Sequence, residues 1–346
     1  MGRAGLNRKT ALATLTLTLS SEAADLDVIG RFWGRAFAFE HHRGFTHSFL
    51  GAPIVALVVV GFVYLVWRLR GRKTKYPDLP PRWGLLFFYA CLGGLVHILL
   101  DFTNNYGVRP FWPFSEKWYS WDIVFIIEPV ILGLLILGLL VPALFSLIDK
   151  EVGAGSSRVP RGRVSATVAL IGVVLVWAVR DYEHRRAVNA LEARTYDGVD
   201  PLRVSAYPTM VNPFHWYGVV ETPAFFVLAP VDSLAPEVDP EGRMDIRNKP
   251  EETAMTLVAK RSYAGRVFLD WARYPIAETE VLEAPDEGYI VHFQDLRFVQ
   301  VPNAFSADRG RRVLGMGVKL DKNLRVVGDV YGTSDEQTVE PDRDQR

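Results

Sequence analysis

The twenty residues between His47 and Arg68, S-F-L-G-A-P-I-V-A-L-V-V-V-G-F-V-Y-L-V-W, carry no charge. A helix of that length covers about 30 Å, the hydrocarbon thickness of a bilayer. Such a run predicts a membrane span and constrains everything around it. Trp83 to Leu100, Ile123 to Ile148 and Val164 to Val179 read the same way, and a shorter threonine-rich run, Thr10 to Ser20, precedes them all. Spans are therefore expected at about 10–24, 47–68, 83–101, 123–148 and 164–180. Residues 1–180 predict a multi-pass α-helical membrane domain, residues 181–333 a small α+β domain, and residues 334–346 a polar tail. Lys and Arg number 39 against 39 Asp and Glu, so no excess positive charge exists to neutralise a phosphate backbone, and nucleic acid is not an expected partner. Cys91 is the single cysteine, which excludes an intrachain disulfide framework.

Orientation follows from the basic residues of short loops. Arg68, Arg70, Arg72, Lys73, Lys75 and Arg82 follow the first long span, and Lys150, Arg158, Arg161 and Arg163 follow the third. The loop from Asp101 to Asp122 holds only Arg109 and Lys117. The basic loops are thus expected in the cytoplasm, with the residues beyond Arg180 on the extracytoplasmic side, the periplasm if the cell is Gram-negative, and membrane lipids as partners. Arg3, Arg8 and Lys9 before the threonine-rich run, and Glu22-Ala23-Ala24 after it, fit either a cleaved signal peptide or a short retained helix.

Four of the seven histidines lie in H-H-R-G-F-T-H-S (His41, His42, His47) and H-I-L-L-D (His97, followed by Asp101). On a helix His97 and Asp101 are one turn apart, the spacing at which two side chains share a metal or a proton. The plain alternative for His97 is a hydrogen bond to a neighbouring helix, but ionisable groups in membranes are costly and tend to be functional. With the basic loops inside, His42 and His47, His97 and Asp101, and Asp122 and Glu128 all fall at the same membrane face. Asp25 and Asp27 join them if the first run is a retained helix.

Imidazoles and carboxylates without thiolates suit zinc, manganese or iron, and the number of donors leaves room for two ions. Metal-assisted hydrolysis is the expected chemistry: a divalent ion acidifies a water, a carboxylate outside the ligand set such as Asp122 or Glu128 takes its proton, and Arg43 or Arg109 anchors an anionic substrate group. Asp122 also fits a helix cap after Ser120. Glu128 fits a partner for His97, or an acceptor for backbone freed by Pro129.

H-H-R-G-F-T-H-S, H-I-L-L-D-F, N-Y-G-V-R-P-F-W-P-F-S and Y-S-W-D-I-V-F-I-I-E-P, taken in order, resemble the bacterial inner-membrane metal-dependent hydrolases, a family also described as LexA-regulated. The likeness covers roughly residues 5 to 135. It implies a metal-dependent hydrolase in which His42, His47, His97, Asp101, Asp25 and Asp27 bind metal, and it favours a retained first helix over a signal peptide. Relatives open with a Thr-His motif that this chain lacks, which implies either a misassigned gene start or a defective copy. Relatives also have Pro where Ala24 stands and Asp where Glu128 stands.

Beyond Arg180 a polar helix to Arg194 continues the fourth long span, and strands are expected at Trp216 to Leu228, Tyr289 to Val301, Val313 to Leu320 and Leu324 to Tyr331, the last two joined by a turn at Asp321-Lys322-Asn323. A helix is expected over Pro250 to Arg273. His215 and His292 read as packed or surface imidazoles. The expected function is hydrolysis of an ester or phosphoester in a lipid-like molecule, with zinc the first choice of metal. The alternatives are a transporter or ion relay using His97 and Glu128, and a catalytically inactive scaffold. Toward the cytoplasm from His97 the second span offers only Tyr89 and Cys91, too little for a relay.

Overall fold

The computed structural model describes residues 1–74, 78–151, 162–284, 287–299, 314–333, 336–342 and 344, with the backbone alone described for 146–151, 332–333 and 336–337. Lys75, Arg158 and Arg161 of the basic loops, Val301 and Val313 of two expected strands, and part of the polar tail lie outside the described residues. The chain divides into two compact units. The first comprises Met1–Asp27, Arg43–Arg186 and Pro208–His215, and the second Val28–His42, Ala187–Tyr207 and Trp216–Arg346.

The helices up to the end of the membrane-type sequence are α1 (Ala13–Glu22), α2 (Arg35–His41), α3 (Gly51–Leu69), α4 (Trp83–Thr103), α5 (Pro129–Glu151) and α6 (Arg163–Glu192). Among the described residues α3, α4 and α6 are long and apolar enough to cross a membrane, and α5 is a shorter apolar helix over Pro129–Phe145. The short helix expected at 10–24 is α1. Ten residues of α1 reach about 15 Å, and the chain tightens after Glu22 into a 3-10 helix, Ala23–Trp33. Ala13 and Leu17 of α1 pack on Leu86 and Tyr89 of α4.

The third span also starts later than its hydrophobicity suggests. Ile123 and Val124 give their amides to the Thr103 carbonyl at 3.0 and 3.1 Å, so the apolar residues before Glu128 pair with the end of α4 rather than coil. Pro129, with no amide to satisfy, then opens α5 at a first-turn position that suits it. α3 packs on α4 through small residues, Ala56, Val60 and Ala90, and Ala52 meets Ile98 and Val108 near the ends that carry the chemistry.

The second unit holds two antiparallel sheets among its described residues. One joins β1 (Arg203–Pro208), β2 (His215–Glu221), β3 (Phe225–Asp232) and β4 (Glu237–Val238) in that order, with β5 (Asp245–Asn248) paired to β3. The other runs β10-β9-β8-β7-β6, where β6 is Pro275–Leu282, β7 Gly288–Asp295, β8 Met316–Asp321, β9 Val326–Thr333 and β10 Glu336–Pro341. The end of α6 contributes Ala187 and Leu191 to the core under the first sheet, beside Trp216 and Val227.

Three expectations for this half need correction. The stretch Trp216 to Leu228 is two strands, because Thr222 reverses the chain by exchanging hydrogen bonds with Phe225. Pro250 to Arg273 is two helices, α7 (Ala254–Arg261) and α8 (Tyr263–Trp271), because Ser262 stops one and caps the next, its hydroxyl accepting from the Gly265 amide at 3.1 Å. The polar tail contains β10, an edge strand whose backbone pairs with β9 and whose polar composition suits an edge. The turn at Asp321-Lys322-Asn323 is present, closed by the Leu324 amide on the Asp321 carbonyl at 3.0 Å.

Gly51 and Gly61 lie in the same helix in opposite situations. A Cβ on Gly51 would overlap the Phe45 carbonyl oxygen, whereas one on Gly61 would meet nothing within 4 Å. Gly51→Ala is therefore expected to cost about 1–3 kcal/mol, read as a lowered thermal midpoint of detergent-purified protein. Gly61→Ala should leave the midpoint unchanged or raise it.

Candidate metal centre

His47 is placed by a tight local fold. Arg43 takes a left-handed conformation, φ 54°, and turns the chain into the single 3-10 turn Phe45–His47. The Ser48 hydroxyl then donates to the Phe45 carbonyl at 2.8 Å and accepts from the Gly51 amide at 2.9 Å, joining this turn to the start of α3. The His47 side chain ends fully buried. His97 and Asp101 stand one turn apart on α4, as their spacing predicts. Asp25 and Asp27 come from the 3-10 helix after α1.

The four sets of donors converge. His47 Nε2 and His97 Nε2 are 3.1 Å apart. Asp101 Oδ2 lies 3.3 Å from His47 Nε2 and 3.5 Å from His97 Nε2, and Asp25 Oδ1 lies 3.5 and 3.4 Å from the same two nitrogens. All four atoms are within 4.8 Å of one another, so Asp25, His47, His97 and Asp101 could hold a metal ion. Ligands roughly 2.0–2.2 Å from a tetrahedral zinc lie about 3.3–3.6 Å from each other; the four nitrogen–oxygen separations here fall in that range, and the two nitrogens at 3.1 Å are a little closer. Asp101 Oδ2 is buried and makes no hydrogen bond of good geometry, its polar neighbours being the two imidazole nitrogens.

Around these atoms stands a ring of supporting groups. Asp27 is not in the four-atom set. Its Oδ2 lies 3.4 Å from the other His47 ring nitrogen, Nδ1, and accepts from the Arg43 amide at 2.9 Å and the Thr46 hydroxyl at 3.3 Å. A carboxylate on the far nitrogen of a ligating histidine fixes the tautomer and raises basicity. Arg43, expected to anchor substrate, instead donates to Asp101 Oδ1 at 2.9 Å and to Asn104 Oδ1 and the Gly107 carbonyl at 3.2 Å, with its guanidinium 4.7 Å from the Tyr106 ring centroid. Thr46, Asn104 and Tyr106 escaped the sequence reading. Thr46 and Asn104 are polar neighbours of donor residues, which was the only available signal.

The other expected residues lie elsewhere. His42 ends α2 in the second unit, its amide bonded to the Ala38 carbonyl, and is not a member of the donor group. His41 stacks on Phe37. Asp122 takes a left-handed conformation, φ 59°, and accepts from the Ser120 hydroxyl rather than capping a helix. Glu128 pairs with Arg180 of α6 at 2.9 Å rather than with His97. Arg109 lies with its guanidinium 4.6 Å from the Trp118 ring centroid. His215 opens β2 exposed, and His292 pairs with Glu280 across β6 and β7 at 2.7 Å.

Burial lowers the basicity of the His47 imidazole, but its contacts with Asp101, Asp25 and Asp27 outweigh burial and push its pKa up to about 10. Contacts with His47 and then His97 hold the Asp25 carboxyl below the usual carboxylate range, against the effect of partial burial. Without an ion, protons fill the role of the cation between these groups.

Helices of membrane length beside a group of two imidazoles and two carboxylates, buried at His47 and open at Asp25, define a membrane protein with a candidate metal centre. The chain belongs to a family described as YdjM inner membrane protein, which matches residues 1–185. It is also similar to an uncharacterized protein, YfhP, of Bacillus subtilis (strain 168), with 25% identity over 295 residues that cover 85% of this chain and 80% of that one. No solved structure matches the chain. The expected inner-membrane family is thereby established, while neither description names a reaction.

Two outcomes test the centre. Zinc binding at pH 7.5 should displace the proton held by His47, so calorimetric titrations in buffers of different ionisation enthalpy should show proton release, with affinity rising about tenfold per pH unit for each proton displaced until pH reaches about 10. Asp27→Asn should weaken binding about 10–100-fold without changing stoichiometry, whereas Asp101→Ala should abolish it.

Proposed function

We propose that this is a multi-pass inner-membrane protein that uses a divalent ion, zinc by donor geometry, to hydrolyse an ester or phosphoester. The observation that carries this reading is the convergence of His47 Nε2, His97 Nε2, Asp25 Oδ1 and the buried Asp101 Oδ2 on one point. The basic residues after α3 support a cytoplasmic side for that connection, and so an extracytoplasmic side for the centre at the opposite ends of α3 and α4. The C-terminal unit is then extracytoplasmic as well.

An ion bound by these four residues supplies an acidified water and polarises the bond to be cleaved. The chain's own groups do the rest. Asp25 is the exposed member, with about half its side chain open, and so marks the side from which water and substrate enter. Its second oxygen takes the proton of the attacking water. Asp27 keeps His47 oriented through Nδ1, and Arg43 holds Asp101 with its other oxygen turned inward. Glu128, needed for an ion relay with His97, is committed to Arg180, which favours hydrolysis over transport.

Detergent-purified protein should hydrolyse a fluorogenic phospholipid or a nitrophenyl phosphodiester, lose that activity on chelation and regain it with zinc or manganese. His97→Ala should reduce turnover by at least 100-fold. Full turnover by the His97→Ala protein would falsify the assignment.

A further inference from the structure

The segments that carry or support the donors also turn apolar side chains outward. Leu26, between Asp25 and Asp27, is 59% exposed, and Phe45, Phe49 and Leu50, which flank Thr46, His47 and Ser48, are exposed too. The loop after α4 adds Phe111 and Phe114, the latter 84% exposed. These residues are tied together. The Phe49 amide bonds to the Pro110 carbonyl at 2.8 Å, the Phe49 and Phe111 rings meet edge to face at 5.5 Å, and Phe45 meets Trp112 at 5.6 Å. Asp27 and Thr46 hydrogen-bond beneath Leu26 and Phe45 in the sequence.

Single exposed apolar residues are ordinary, but a cluster of large ones marks an interaction surface. Its surroundings identify what covers it. No Asp, Glu, Lys or Arg occurs from Gly44 to Trp67, and exposed apolar residues resume on the outward face of α3 at Ile54, Leu57 and Val58. That face belongs to a helix of membrane length in an inner-membrane family. Aromatic side chains settle at the boundary between headgroups and acyl chains. Leu26, Phe45, Phe49, Leu50, Phe111 and Phe114 continue the lipid-facing surface up to the rim of the metal centre.

We infer that these side chains form an apolar collar that seats the centre at the acyl-chain boundary of one leaflet, so that the molecules reaching Asp25 are bilayer-resident amphiphiles rather than water-soluble esters. The occupant of the collar is lipid. This inference rests on the hydrolase reading for the chemistry done on those molecules, and on geometry alone for their source.

Cys91→Ser gives a background into which nitroxide labels enter at F49C, F111C and F114C, with L57C as the hydrocarbon reference. The full chain in nanodiscs of phosphatidylethanolamine and phosphatidylglycerol is then read by power-saturation spectroscopy with oxygen and a water-soluble nickel chelate. The three collar labels should collide with oxygen more than with nickel, as the label at 57 does. The collar is overturned if they favour nickel while position 57 reads hydrocarbon. Elemental analysis of the same samples separates the two ideas: metal-loaded protein with aqueous labels sinks the collar alone, and metal-free protein with hydrocarbon labels sinks the hydrolase reading alone. Phe49→Ser/Phe111→Ser/Phe114→Ser should keep its metal and lose about tenfold more activity on a vesicle-embedded ester than on a soluble short-chain ester. Equal loss on both would also overturn the collar.

Discussion

Two imidazole nitrogens that face each other at 3.1 Å, with a carboxylate oxygen 3.3 to 3.5 Å away on either side, cannot all keep their lone pairs directed at one point unless something positive stands there. The ends of α3 and α4 are built around that requirement. Ala52, Ile98 and Val108 draw the two helices together, and the buried turn from Arg43 to Ser48 then leaves His47 no direction but inward. An interior of this kind is stable when its polar groups are fully satisfied and costly when they are not.

The support around the centre is concentrated in one residue. Arg43 uses its amide on Asp27 and its guanidinium on Asp101, Asn104 and the Gly107 carbonyl. It thereby links the segment after α1, the turn before α3, the end of α4 and the loop that follows. Its left-handed backbone is the local strain that such a link entails. A lysine could keep the charge but not the planar fork that reaches three acceptors.

Much of this was legible in the sequence, for definite reasons. The absence of charge over twenty residues announced α3, and the four-residue spacing of His97 and Asp101 announced a shared face, because both signals depend only on helix geometry. What escaped depended on backbone partners. Ile123 and Val124 open a stretch with the composition of a span, yet their amides pair with the Thr103 carbonyl, a choice no hydropathy pattern records. His42 has the same local motif as His47, but α2 ends on it and the donor group forms without it. The tail from Ser334 looked unstructured because an edge strand is specified by its neighbour's backbone as much as by its own side chains.

The unit contains a second buried charge cluster, and the contrast shows what each is for. Glu128 and Arg180 are a carboxylate and a guanidinium 2.9 Å apart, both nearly inaccessible. Their charges cancel, so the pair joins the start of α5 to α6 without calling for anything else. The group around His47 does not cancel. Asp25, Asp27 and Asp101 carry three negative charges against one from Arg43, and neutral imidazoles add none. The remainder is a formal −2 in a largely buried site, which two protons on the histidines can neutralise at the cost of an opposed pair of N–H groups 3.1 Å apart. One divalent ion would neutralise the same remainder and turn that opposition into coordination, so the arrangement of charge is one in which Asp25, His47, His97 and Asp101 could hold a metal ion.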